Sequence, residues 1–357
     1  MPHSTSLRPA HRGDVLRLKG VTQHYSWGDR YALPTMLEIT ADGRPWAEIW
    51  YGTHPRGPAQ IDESLHTPAP TYLADEVGEL PFIVKLLAAA QPLSLQTHPS
   101  TEQAVAGFAR EEKAGVPHDA KHRVYADDRA KPEMIVALTS FEALCGFVSR
   151  DQAVAACNAA GATDVAERVG RDGVPATAQA ILRGDKFAEP TTPSEAMRQL
   201  NEHYDDARSV IALLMHHVRL APGEALYLDA GNVHTYLYGT ALEVQGSSDN
   251  VVRAAFTDKH IDVDEFFRVA SFAAITDPRV TPSRINEMSS KYECAAPFTV
   301  MRHEVNGTFA LTANREHTMV VCASGRAGSL TPGAAAYVAR GESVALDGTA
   351  TLYTVSA

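Results

Sequence analysis

Cysteine is scarce in this chain. Cys145, Cys157, Cys294 and Cys322 are scattered, with no CxxC pair, which argues against a disulfide framework and suits reduced thiols in the cytosol, each in a packing role. Long apolar runs are also missing. None approaches the roughly 20 residues that a membrane span needs, and the opening MPHSTSLRPA carries no hydrophobic leader stretch. A soluble, cytoplasmic protein is expected, with residues 1–13 as a loose tail. Positive charge is in deficit, 32 Lys and Arg against 43 Asp and Glu for a net charge of -11. Phosphate backbones and anionic lipid surfaces would be repelled, so neither nucleic acid nor membrane is an expected partner.

At 357 residues and 45% hydrophobic content the chain can bury more than one core, and two or three domains are expected. The first informative stretch is PFIVKLLAAAQPLSLQTHP at 81–99. On a strand, side chains alternate faces, so Gln96 and His98 point the same way and can supply two corners of a metal site. Ser94 shares that face and Lys85 lies on the preceding strand, a combination that suits an anion beside a metal. The second stretch, DDRAKPEM at 127–134, sets Lys131 and Glu133 two apart at the mouth of an apolar strand, and Pro132 is tolerated at a strand start. The third, GEALYLDAGNVHTY at 223–236, reads as a short alternating strand, a Gly-Asn turn, and a second strand with His234 and Tyr236 on one face. Short strand pairs with a histidine just past the turn are the sequence form of a cupin or jelly-roll barrel.

Between 149 and 218 the pattern turns alanine-rich and helical, broken by Gly161, Gly170, Gly173 and Pro175. Ser100 with Gln103 forms a capping box that opens a helix over 101–113, with Glu111 and Glu112 facing solvent. After 264, short strands with glycine-containing turns return. His303 and His317 lie there without further metal-competent groups around them, and packing roles are expected.

Those blocks, together with AEIWYGTHP at 47–55, FEALCGF at 141–147 and SDNVVRA at 248–254, fall in order across residues 24–263, and through them the chain resembles the type I phosphomannose isomerases. The fold expected is mostly β: two double-stranded β-helix (cupin or jelly-roll) barrels with an α-helical insertion. Residues 14–148 plus 219–263 would form the metal-binding catalytic core, 149–218 the helical insertion and 264–357 a smaller jelly-roll domain. The activity implied is reversible aldose–ketose interconversion of mannose 6-phosphate and fructose 6-phosphate through an enediol, by proton transfer from C2 to C1. A few local cations suffice to hold a sugar phosphate in an acidic protein. The resemblance implies one zinc per chain on Gln96, His98, Glu133 and His234, and two imidazoles, a carboxylate and an amide oxygen with an open position suit zinc.

Catalytic roles fall to Arg253, whose guanidinium stabilises enediolate or phosphate charge, to Glu243, which aligns with a family active-site position, and to Lys131 and Asp249, the latter orienting Arg253. Lys85, Ser94, Tyr236, Lys259, Glu48 and Trp27 are the expected substrate neighbours. The chain departs from the family at Ala130, where many members have histidine before the Lys-Pro-Glu triplet; either His54 substitutes or the position is peripheral. A monomer or weak homo-oligomer is expected. Two other classes compete: an iron-dependent cupin oxygenase, in which Gln96 would occupy a position oxygen needs, and a non-catalytic sugar-binding cupin, which needs neither Arg253 nor the lysines.

Overall fold

The strand Phe82–Ala89 is buried along its whole length, so both of its faces need partners, and they find different ones. In the computed structural model, which describes residues 15–62 and 71–357, Phe82, Val84, Leu86 and Ala88 join Met134, Val136, Leu242 and Val244 of neighbouring strands in one apolar cluster. That cluster extends to Val300, Met319, Val321 and Val355 of the C-terminal strands, so it welds two sheets together. On the opposite face Leu87 packs with Ile135, Ala241, Leu226 and Tyr236 in a separate cluster. Lys85 points to that second face, inside an otherwise apolar run. The tail expected at 1–13 lies outside the described residues.

The first sheet runs Arg279–Val280, Ala225–Leu228, Glu133–Ala137, His234–Gly246, Phe82–Ala89, Glu48–Tyr51, Val21–Gln23. Only the C-terminal half of the long strand His234–Gly246 follows this path. Its N-terminal half pairs with Leu95–Thr97 and Phe141–Phe147, which bring in Val252–Ala255 and Met215–Leu220. The second sheet runs Pro282–Arg284, Ser289–Tyr292, Thr299–Thr312, Ser343–Ser356, His317–Ala327, Ala335–Ala339, Leu16–Lys19, Gln60–Ile61.

These paths overturn the expected mostly-β pair of cupin or jelly-roll barrels. The fold is mixed α/β with several sheets, and no sheet closes among the described residues. The first path ends on Arg279–Val280 and Val21–Gln23, the second on Pro282–Arg284 and Gln60–Ile61, and these end strands do not pair with each other. Glycine accounts for the difference. Gly307 and Gly325, with φ of 109° and 72°, look like turns between the short strands expected after 264, yet each lies inside a long strand that bends and continues. Thr299–Thr312 and Ser343–Ser356 stay in register from Thr299 opposite Ser356 to Thr312 opposite Ser343, so they extend one open sheet.

Helices occupy Thr101–Lys113, Arg150–Ala159, Thr163–Arg183 and Glu195–His203, among others. The Ser100–Gln103 capping box forms as expected. Gly173 (φ 86°) kinks the third of these helices, whereas Gly170 continues it. Glu111 is not a solvent-facing residue: its carboxylate accepts the backbone N–H groups of Val124 and Tyr125 at 2.9 and 2.8 Å, tying the following loop to the helix. No helix among the described residues is long and apolar enough to cross a membrane.

His303 is buried in the second sheet, with Ser289 Oγ 2.8 Å from Nδ1 and Thr354 Oγ1 2.9 Å from Nε2. Burial pushes its pKa down from 6.5 to about 4. The folded protein refuses a proton that the unfolded chain accepts below about pH 6.5, so this residue costs stability as pH falls from there to about 4. The expected loss is about 3 kcal/mol over that window. Urea unfolding of wild type and His303→Gln at pH 7 and pH 4.5 checks it: the variant should lose less stability between the two pH values, and equal losses would contradict the assignment.

Candidate metal centre

The polar face of the first sheet gathers its charged groups by register. Lys85 stands opposite Glu243, Gln245 opposite Glu133 and Trp50 opposite Lys85, so these side chains share a face. At the upper end of the long strand, His234 lies opposite Gln96, and Gln96 opposite Arg253. Strand pairing thus delivers residues far apart in sequence to one place.

His98, Glu133 and His234 offer ligand atoms that all lie within 4.8 Å of one another. Each is buried. Both imidazoles are oriented by backbone carbonyls: His98 Nδ1 is 2.7 Å from the Asn250 oxygen and His234 Nδ1 is 3.2 Å from that of Asn232. A carbonyl can only accept, so the proton sits on Nδ1 and each Nε2 presents a lone pair. Burial, opposed by Glu133, holds the His234 pKa down to about 4 and also lowers that of His98, so both rings are neutral at pH 7. The Nε2 atoms face Glu133 at 3.3 Å (His98 to Oε1) and 3.6 Å (His234 to Oε2), and His98 Nε2 has no hydrogen-bond partner among the described residues. Lone pairs converging on a carboxylate with no proton between them repel unless a cation joins them. The donor set therefore fits a divalent metal.

Gln96 adjoins the trio, its amide 3.4 Å from His234 Nε2 and its oxygen accepting from Ser94 Oγ at 2.9 Å. Glu133 is oriented at both oxygens: Lys131 Nζ lies 2.9 Å from Oε1, and the Tyr236 hydroxyl donates to Oε2 at 3.1 Å. Burial raises the Glu133 pKa, but Lys131 and His98 outweigh it and hold the carboxyl well below its usual range. The hydroxyl of Tyr236, expected beside a sugar, is engaged with a ligand carboxylate.

Lys85, with Glu48 and Glu243, forms a second buried group. Its Nζ is 2.9 Å from Glu243 Oε2 and 3.6 Å from Glu48 Oε1, and the Trp50 indole donates to Glu48 at 2.7 Å. Burial works against the ammonium, yet Glu243 and Glu48 keep its pKa above the ordinary lysine value. Glu243 is shifted upward by burial and by Glu133 and Glu48, against the pull of Lys85. One lysine among such carboxylates leaves a group able to exchange a proton.

Arg253 lines a cavity of about 1120 Å³ together with His54, Arg56, Asp249 and Lys259. Gln96, His98, Glu133 and His234 are not among its lining residues. Asp249 does not hold Arg253: its Oδ2 lies 3.1 Å from Arg56 Nη1 and 3.4 Å from His54 Nε2. Lys259 sits 5.3 Å above the Tyr25 ring, which stacks on Trp27. Ala130 lines a different cavity, of about 700 Å³, with Arg129, Asp229 and Ser100.

Several contributors escaped the sequence. Asn232 and Asn250 orient the histidines through main-chain oxygens, which no side-chain pattern reveals. Asp127 accepts from Ser248 Oγ at 2.8 Å and from the Asp249 N–H at 2.9 Å, clamping the two loops together. Arg56 follows directly on the AEIWYGTHP block and could have been found there.

This arrangement has counterparts. Residues 15–150 match the type I phosphomannose isomerase catalytic domain. The mannose-6-phosphate isomerase of Escherichia coli (strain K12) is 32% identical over 373 residues, covering 92% of this chain and 95% of that protein. A crystal structure of mannose 6-phosphate isomerase bound with zinc and yttrium superposes with a TM-score of 0.85 at 29% identity, covering 96% of this chain and 99% of that one. The enzyme from Salmonella typhimurium, bound to substrate (fructose 6-phosphate) and zinc, gives 0.85 at 28% identity over the same shares. With sequence, fold and a paired-histidine carboxylate centre in agreement along nearly its whole length, the chain belongs to the type I phosphomannose isomerase family.

Proposed function

We propose that this protein interconverts D-mannose 6-phosphate and D-fructose 6-phosphate with one zinc per chain. The observation that carries this is the convergence of neutral His98 and His234 on Glu133, on the sheet face that also bears the buried Lys85–Glu243 pair. His98, Glu133 and His234 would hold the zinc, with the amide oxygen of Gln96 as the fourth donor once that amide turns from Ser94, and the bound metal would supply Lewis-acid polarisation of the open-chain sugar's oxygens. Glu243 takes the proton from C2 and returns it to C1, and its raised pKa suits both directions. Lys85 fixes the Glu243 carboxylate, with Glu48 as its second anchor. Lys131 and Tyr236 position Glu133 rather than the sugar. Arg253 offsets negative charge developing on the enediol oxygens. Trp27 supports Tyr25, and Ser94 orients the Gln96 amide.

The test joins metal analysis to a coupled assay. Zinc near one per chain with mannose 6-phosphate turnover is expected. Iron with oxygen consumption, or sugar binding without turnover, would instead favour the oxygenase or the binding protein.

Ala130 is peripheral in this scheme, because it faces the smaller cavity. Ala130→His should therefore change kcat/KM less than about ten-fold, or roughly 1.4 kcal/mol. A larger gain would show that the histidine common in the family acts in the reaction and that Arg253's cavity is not the whole site.

As units of the chain we propose 14–148 with 219–263 as the catalytic core, 149–218 as a helical insertion and 264–357 as a C-terminal domain; the helices from Arg150–Ala159 to Glu195–His203 support the insertion, while the other two exchange strands, Leu16–Lys19 and Gln60–Ile61 pairing in the second sheet and Arg279–Val280 in the first. A cytoplasmic location is supported by the free state of Cys145, Cys157, Cys294 and Cys322.

A further inference from the structure

The cavity beside the metal centre has an unequal charge arrangement. Several of its cations already have partners: Arg129 pairs with Glu79, and Arg123 with Glu111 and Glu112. Arg253 and Lys259 have no carboxylate in ion-pair contact among the described residues; Arg253 is partly buried and Lys259 exposed. Burial, then Arg56, pushes the Arg253 pKa down, and burial, then Arg253 and Arg56, does the same for Lys259. These cations therefore crowd one another, a state that a dianion relieves. Arg56 differs from the other two. Its side chain is 65% exposed, and its contact with Asp249 is a single 3.1 Å pairing between Nη1 and Oδ2, shared with His54. A one-pronged, exposed arginine contact is weak, and a guanidinium can exchange it for bidentate contact with a phosphate.

We infer that Arg56 selects phosphorylated over unphosphorylated sugar, exchanging the Asp249 carboxylate for phosphate oxygens with Lys259 as the second cation of that subsite, while Arg253 stays with the enediol oxygens. This rests on the sugar phosphate reading above and adds a residue that sets its specificity. Arg56 touches the phosphate alone, so its contact is equal in ground and transition states. Such uniform binding governs KM and leaves kcat in place.

The test uses zinc-loaded wild type, Arg56→Ala and Arg56→Lys. Calorimetric titration with inorganic phosphate should show at least about ten-fold weaker binding to the alanine variant. Its KM for mannose 6-phosphate should rise by a similar factor with kcat within about three-fold, and lysine should recover most of the loss. Asp249→Asn, which removes the competing carboxylate, should tighten phosphate binding in the same titration. Unchanged phosphate affinity in Arg56→Ala, or a fall in kcat at constant KM, overturns the assignment. Wild type that binds phosphate but does not turn over mannose 6-phosphate would sink the isomerase reading while leaving the phosphate result interpretable.

Discussion

His234→Ala is expected to strip the protein of zinc and to lower kcat/KM by at least about 10³-fold, some 4 kcal/mol of transition-state stabilisation. The size follows from what remains. His98 Nε2 would still approach Glu133 at 3.3 Å, and Gln96 would lose the imidazole that its amide meets at 3.4 Å. Two strong donors and a displaced amide do not make a closed zinc site. Glu133 would still be held by Lys131 and Tyr236, so the carboxylate stays ionised and the fold keeps its partners. Metal content by emission spectroscopy and activity by a coupled assay should therefore fall together while the circular dichroism spectrum is retained. Stoichiometric zinc with full activity in this variant would remove His234 from the centre. Chelation of wild type offers the same contrast by another route, since loss of a ligand that binds only the native state lowers its unfolding temperature.

The metal centre was far more legible in the sequence than the fold that carries it. Gln96 and His98, two apart beside a strand, and His234 past a Gly-Asn turn are local patterns, and locality is what a sequence displays. Lys85 was legible as a member of the site but not in its contacts: expected beside the sugar phosphate, this lone charge inside the buried run of Phe82–Ala89 meets the carboxylates of Glu243 and Glu48 instead. Closure of a sheet is not local. It depends on which edges meet, and the glycines that bend the strands Thr299–Thr312 and His317–Ala327 carry the same letters as glycines that end a strand. Asp249 shows a third kind of failure. Its spacing from Arg253 suggested an orienting pair, but Asp249 lies in the loop before the strand Val252–Ala255, and there the carboxylate turns to Arg56 and His54, brought from another loop.

The division of one sheet into two chemically distinct faces explains why the site tolerates so much buried charge. The face packed on the C-terminal sheet is apolar throughout, from Val84 and Leu86 to Val244 and Val355, and that packing stabilises the strands independently of the polar face. Each buried charge on the other face is matched, Lys85 by Glu243 and Glu48, and Lys131 by Glu133. Breaking one such pair by removing a partner costs about 3–5 kcal/mol, which is why variants of these lysines confound catalysis with stability. Arg253 is the better probe of chemistry because it is not tied into those pairs.

Arg253→Ala is expected to keep zinc near one per chain and to reduce kcat by about 10²–10³-fold, the range found when a preorganised donor to developing oxyanion charge is removed. The metal should survive because Arg253 is joined to the ligand set only through strand register, opposite Gln96, and that pairing uses main-chain atoms which alanine retains. The rate should collapse because the side chain has no carboxylate partner among the described residues, so its charge is available to the substrate, and its surroundings are partly dehydrated. Arg253→Lys should recover little, since a point charge on a flexible stem lacks the planar fork. The pattern separates Arg253 from Arg56: the first should act on kcat, the second on KM. Loss of zinc in parallel with activity would move Arg253 to a structural role, and an unchanged kcat with raised KM would make it a second phosphate anchor instead.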